Sequence, residues 1–526
     1  MCDISGPHTG AETCLAAIGA QDMHLLSDDP NRSLFKYNPK RHSNFRKYHR
    51  SRTINRSEPL TAENQWPLNQ TIKVQYDPRS MGDLLSNMYI KIEIPALPVI
   101  GGKAYRYSDI LGRHLFKSIT MNVDEMTLEK YQDDWGYIHD KMYADLSEIN
   151  TQNYSLNRGM DPGFFQNNTA AQWNFDKTKT TLMIPIPFFF SRNYESDDYE
   201  TNEPGRPFFP LCAINKQKLE FIFEFRPDTF FTDVSVAPHI NSGLYSNLTD
   251  EEKSFYEPNG ASGYKFKLHF NKFEIITEEI TLEPYERMYY TNQEYKMITD
   301  IFIKHPSVDT AGEDNVKLDL VPKNRVKSLH WFFRNAKYED ETEPLGKFNS
   351  GGTIMDTAAN LPNAYFQNRF NLTQRDNYKR NVDSLSDDIM TSAKIFINGE
   401  ELPNSDLNDN MYFKNCVPFL HRISVPVQNI YTYTFSMFPR NVEPSGSIDF
   451  GNMKSNRTYL SCDIDPLLHV WQQVWRLNLY YKAYTTFTFK DGYLDVKGDT
   501  LQYGSLNSEL DLESDGTNAV DCRITY

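Results

Sequence analysis

Cysteine is scarce in this chain: six in 526 residues (Cys2, Cys14, Cys212, Cys416, Cys462, Cys522), with no Cys-x-x-Cys pair. That spacing excludes a zinc framework and a dense disulfide scaffold, and a reducing compartment is the simplest account. Long apolar runs are missing too. Near the N-terminus the apolar run Leu15–Ile18 follows no basic segment, so neither a signal nor an anchor is expected, and nothing elsewhere approaches a membrane span. Folding in the cytosol is the expectation. Also absent are Gly-x-x-x-x-Gly-Lys-Ser/Thr, Gly-x-Gly-x-x-Gly, Gly-x-Ser-x-Gly and His-Glu-x-x-His. Gly260-Ala261-Ser262-Gly263 lacks the spacing of a nucleophile elbow. Positive charge is in deficit, since the net charge of −15 argues against a whole-surface nucleic-acid binder.

Aromatics and proline are what the chain has in quantity: 34 Phe, 32 Tyr and 28 Pro. That composition favours many short strands joined by turns over long helices. The length fits two β domains of about 200 residues each plus tails. Period-two alternation then locates strands. Tyr431, Tyr433, Phe435 and Met437 alternate with Thr432, Thr434 and Ser436, which predicts a half-buried strand stopped by Pro439. Pro444-Ser445-Gly446 follows as a turn, and Ile448 and Phe450 restart an extended segment towards Leu460. Leu219, Phe221, Phe223 and Phe225 form a second alternation, and Trp475 to Phe489 a third, the longest. Asn398-Gly399 is a type I′ hairpin signal. Pro185 and Pro187 confine Leu182–Asn193 to a sheet edge or a bulge.

Charge is unevenly placed. Between Arg32 and Arg56 nine Lys or Arg residues occur with no acid, interleaved with Phe35, Tyr37, Phe45 and Tyr48. Such a patch suits phosphates of nucleic acid or lipid, an acidic protein, or plain solvation. The segment 491–526 carries eight Asp or Glu against Lys497 and Arg523, and is read as a tail. A sharper alternative sets it against the basic arm of a neighbouring subunit. His42, His114 and His139 have no second ligand or nucleophile at a useful spacing, so no metal, cofactor or catalytic residue is expected.

Several stretches, in order, resemble one family. Phe35-Lys36 followed by Lys40-Arg41-His42-Ser43-Asn44-Phe45 is similar to its N-terminal arm motif, with Ser43 for the usual Thr. Gly82-Asp83-Leu84-Leu85 before Tyr89–Pro95, Gly112 to Lys117 with Trp135 beyond, and Pro185-x-Pro187-Phe188 before Pro210-Leu211 look like its first domain. Asn398-Gly399, the aromatic strand, and Pro444-Ser445-Gly446 with Phe450 look like its second. The family is the double jelly-roll major capsid proteins of nucleocytoplasmic large DNA viruses.

The resemblance implies an all-β fold of two tandem eight-stranded antiparallel jelly rolls with short helices and long loops. It divides the chain into an N-terminal arm (1–60), a first jelly roll (61–288), a second (289–490) and the acidic tail (491–526). It implies a homotrimer forming a pseudo-hexagonal capsomer in an icosahedral shell, assembled in host cytoplasm. Phe35, Lys36, Arg41, His42, Asn44 and Phe45 would then be inner-surface arm contacts, to minor capsid proteins and the inner membrane. Pro444, Ser445, Gly446 and Phe450 would form a structural motif of the second domain. The resemblance allows glycans on outer loops, although the eight Asn-x-Ser/Thr sequons themselves carry little weight in an Asn-rich chain, and no sequence-specific nucleic-acid partner is expected. Two alternatives remain: a minor jelly-roll or scaffold protein of the same fold, and a β-rich carbohydrate-binding protein or glycosidase.

Overall fold

The computed structural model describes residues 42–53, 71–144, 180–192, 207–339, 388–465 and 474–497, apart from short interruptions, together with 341, 370 and 372. Strands dominate, and each large sheet draws its strands from only one half of the chain.

In the first half, strands β1 (Phe45–Thr53), β2 (Thr71–Tyr76), β3 (Leu84–Ile94), β4 (Phe116–Val123), β5 (Met126–Gln132), β6 (Thr180–Pro185), β7 (Phe209–Pro210), β8 (Leu219–Phe225) and β9 (Lys272–Leu282) build two antiparallel sheets. One has the order β1-β9-β3, with β6 and β7 both on the far edge of β3; the other runs β2-β8-β4-β5. Counting β6 and β7 as one interrupted edge, each sheet has four positions. Strand β6, which ends at Pro185, lies on that edge, as the proline's missing N–H requires.

The second half repeats the plan with β10 (Tyr295–Lys304), β11 (Val308–Asp309), β12 (Asn315–Asp319), β13 (Arg325–Asn335), β14 (Met390–Ile397), β15 (Glu400–Leu402), β16 (Tyr431–Thr434), β17 (Ile448–Asp449), β18 (Tyr459–Ile464), β19 (Trp475–Lys490) and β20 (Tyr493–Lys497). One sheet runs β12-β18-β14-β15. In the other, β19 is flanked by β13 and β20 on one side and by β10 and β11 on the other, while β16 and β17 share the outer edge of β13. Again there are two sheets of four positions, the layout of a pair of eight-stranded jelly rolls. The Asn398-Gly399 turn joins β14 to β15 with both residues at positive φ, 53° and 96°, as type I′ demands.

Three segments depart from the sequence expectations. The arm is more than a solvated segment: its Phe45–Thr53 is an edge strand, registered from Phe45 opposite Leu282 to Thr53 opposite Glu274. Nor is residue 491 the end of the sheet. Asp491 and Gly492, at φ 53° and 86°, turn the chain back into β20, where Leu494 N–H donates to Gln217 at 2.7 Å. The aromatic strand is shorter than its alternation, only Tyr431–Thr434, and Thr432 on its polar phase is as buried as Tyr431.

The third departure has a physical cause. The β10-β19-β13-β16 sheet is covered on both faces. Its residues Ile301, Leu329, Trp331, Leu477 and Leu479 enter the core of the second half, while neighbours Phe302, Phe332 and Tyr480 enter the core of the first. Strand β19 serves both: Leu477, Leu479 and Ala483 fill one core, Phe487 and Phe489 the other. At about 3.3 Å per residue its 16 residues reach some 50 Å, enough to span the two.

Candidate functional site

Helix α1 (Asp133–Met142) fastens the halves. Trp135, 1% exposed, stacks on Phe302, and the rings of Tyr143, His330 and Tyr480 surround it. Asp134 lies in the first turn of this helix and is buried. Arg334 donates to it at 2.7 Å, Lys304 at 3.0 Å and the Tyr480 hydroxyl at 3.2 Å. Burial would raise this carboxyl, but Arg334 and Lys304 outweigh it and hold it below the usual range.

A second polar cluster centres on Asp300, which is fully buried. Arg192 lies 3.4 Å away, Lys327 3.4 Å and Lys482 3.2 Å, while Glu129 takes a 2.6 Å bond from Arg192. Burial pushes the Lys482 amine down to about 7 against the attraction of Asp300, with Lys327 and Arg192 adding repulsion. Burial likewise raises Glu129 despite Arg192. His330 bonds Tyr143 at 2.8 Å and Thr432 at 3.0 Å; burial, then Lys482, lowers it to about 3, so it is neutral. Sequence reasoning missed this seam. The only trace was the polar phase of β19, Asn478 and Lys482, which alternation alone cannot distinguish from a solvated face.

The Pro444-Ser445-Gly446 turn clasps the end of the aromatic strand. The Ser445 hydroxyl lies 2.6 Å from that of Ser436 and accepts from Phe438 N–H at 3.0 Å, and Met437 N–H donates to the Ser445 carbonyl at 3.1 Å. Gly446 sits at φ 134°, where an added Cβ would lie 2.5 Å from the Phe435 carbonyl oxygen. Only glycine fits. Phe450, 2% exposed, closes the turn onto the core edge-to-face with Phe435. Gly82 and Asp83, the other quoted motif, fix the β9 end: Gly82 N–H donates to Glu279 at 2.6 Å and Asp83 accepts from Leu282 N–H at 2.9 Å.

Of the arm residues, Phe35, Lys36 and Arg41 lie outside the described residues. His42, Asn44 and Phe45 are exposed, Phe45 by 57%. Along β1 the cations meet acids of β9: Lys47 pairs with Glu278 at 2.5 Å and Arg50 with Glu279 at 3.3 Å. No cluster of His, Cys, Asp and Glu suited to a metal occurs among the described residues.

Comparison with known proteins agrees with this geometry. The family model described as large eukaryotic DNA virus major capsid protein matches residues 286–488, and that of the major capsid protein N-terminus matches 33–250. The major capsid protein of Paramecium bursaria Chlorella virus 1 is 22% identical over 464 residues, covering 87% of this chain and 89% of that protein.

The chain belongs to the major capsid proteins of large eukaryotic DNA viruses.

The solved structures agree on the fold of this capsid protein. A quasi-atomic model of the PBCV-1 virus capsid matches with a TM-score of 0.59 at 15% identity, covering 88% of this chain and 99% of the other. The Faustovirus major capsid protein matches with a TM-score of 0.51 at 10% identity, covering 91% and 96%. Residues 286–488, matched by the first family model, contain the Pro444-Ser445-Gly446 turn and β19 as far as Thr488. As a capsid component, the chain is a constituent of the virion.

Proposed function

We propose that this major capsid protein works as a homotrimeric tile. Two sandwiches of equal strand count, side by side in each subunit, make six similar corners when three subunits meet. That gives a pseudo-hexagonal capsomer that packs edge to edge in an icosahedral shell. The observation that carries this reading is the buried seam. Charged clusters around Asp300 and Asp134, with Trp135 between, fix the two halves as one body, which a flat tile needs if its six edges are to keep their angles.

Exposed apolar side chains suit such contacts. They occur on helix α2 (Pro284–Asn292), with Tyr285 88% exposed, and on α3 (Val417–Leu420), with Phe419 75% and Leu420 67% exposed. The division into an arm (1–60), jelly rolls (61–288 and 289–490) and an acidic tail (491–526) belongs to the same proposal, with β1 and β20 as the strands those end segments lend to the sheets. The arm residues Phe35, Lys36, Arg41, His42, Asn44 and Phe45 are proposed to meet minor capsid proteins, with the inner membrane beyond, and outer loops to carry glycans. No catalytic role is proposed, in keeping with relatives that are capsid proteins.

Negative-stain imaging of the purified protein tests this reading. Flat particles of hexagonal outline, on the order of 80 Å across, are expected. A population of monomers at micromolar concentration would overturn it.

A further inference from the structure

Strand β1 ends its sheet. Among the described residues it pairs only with β9, so the backbone groups on its outer side face no partner strand. Period two places Arg46, Tyr48, Arg50 and Arg52 on one face of it. Arg50 has Glu279, but Arg46 and Arg52 meet no carboxylate among the described residues; they lie over the rings of Tyr48 and Tyr76. An exposed edge bearing cations repels a second copy of itself. It attracts a strand of opposite charge.

The C-terminal sequence supplies one. Glu509, Asp511, Glu513 and Asp515 alternate with Leu510, Leu512 and Ser514. This is a strand pattern with four acids on one face, and it spans the same seven residues as Arg46–Arg52. Laid antiparallel on β1, the acids fall opposite Arg52, Arg50, Tyr48 and Arg46 in turn.

We propose that Glu509–Asp515 of this polypeptide docks as an added antiparallel strand on the open edge of β1. Main-chain hydrogen bonds would hold it, and the three arginines would set its register. The cations of the edge thus select a strand as well as guard against a wrong one.

Backbone hydrogen exchange, read by mass spectrometry on the intact full-length protein, tests this. Leu512→Pro keeps every charge and leaves β1 untouched, but removes a donor from the added strand. Exchange across Phe45–Thr53 is expected to accelerate about tenfold, the size given by losing strand bonds and cross-strand charge pairs. Exchange across Lys272–Leu282 should stay unchanged, reporting an intact sheet. Arg46→Glu with Arg52→Glu should have the same effect on β1. A synthetic peptide of residues 506–517 should restore protection to the Leu512→Pro protein, and the same peptide carrying proline should not. Identical β1 exchange in wild type and Leu512→Pro overturns the proposal, whatever the charge variants do, because charge attraction without strand pairing would survive the proline. The measurement reads protection of one segment whatever the number of chains associated, so its failure is distinct from failure of the trimeric reading.

Discussion

Asp300 and Lys482 touch each other, yet their removal should have opposite consequences. Three cations, Arg192, Lys327 and Lys482, face Asp300, and the adjoining Glu129 is held by Arg192. With Lys482 half-neutral near pH 7, charge in the cluster is close to balanced. Asp300→Asn deletes the central anion and strands two buried ammonium groups. Breaking a buried pair in this way costs about 3–5 kcal/mol. Lys482→Met removes a partly charged amine and keeps its volume. The lost 2.8 Å bond to the Pro439 carbonyl costs about 1 kcal/mol, and relief from burying the amine offsets it. Net stability should stay within about 1 kcal/mol of wild type.

The pH dependence separates the two further. The folded-state value of Lys482, about 7, lies below its ordinary 10.5. Between these values the unfolded chain binds more protons than the folded one, so Lys482 makes stability rise with pH, by at most about 1.4 kcal/mol per unit. Below pH 7 its full penalty remains. Denaturant midpoints from far-UV circular dichroism at pH 7, 8 and 9 would show the rise in wild type, and a flatter curve in Lys482→Met. Equal losses for Asp300→Asn and Lys482→Met at pH 7, or parallel pH curves for Lys482→Met and wild type, would refute the reasoning.

Other consequences follow from single sites. Gly446→Ala places a Cβ 2.5 Å from the Phe435 oxygen at φ 134° and should cost about 2–4 kcal/mol, whereas Gly312→Ala, at φ 85° with open space around it, should cost about 1 kcal/mol. Thermal unfolding midpoints of the two variants compare them, and equal shifts would contradict the steric argument. Trp135→Ala should lose about 3–5 kcal/mol by opening a cavity between the halves. Trp135→Phe should lose far less, because the indole N–H has no acceptor to forfeit among the described residues; the same melts decide. The buried value of His330, about 3, lies below its ordinary 6.5, so the unfolded chain binds the extra proton between them and stability falls as pH drops through that window. His330→Asn should give a shallower acid limb than wild type in urea titrations from pH 7 to 4.

What could be read from sequence depended on whether a side chain's role was local. Asn398-Gly399 and Pro444-Ser445-Gly446 were legible because a turn's backbone demands are met by the turn's own residues, and positive φ at Asn398, Gly399 and Gly446 bears that out. The alternations at Leu219–Phe225 and Trp475–Lys490 were legible for the same reason, since each strand displays its own pattern. The seam was not. Lys482, Thr432 and Asp134 are polar residues on phases that would face water if the halves stood apart, and only the other half turns those faces inward. Their partners lie far along the chain: Asp134 meets Arg334, and Tyr143 meets His330. The same reasoning explains β1. Nine basic residues from Arg32 to Arg56 look like a solvated arm until two acids of β9, Glu278 and Glu279, are set beside Lys47 and Arg50. Two cations of the stretch thus rest on the chain's own acids. Arg46 and Arg52 remain without such a partner among the described residues, which is why the search for one leads to the C-terminus.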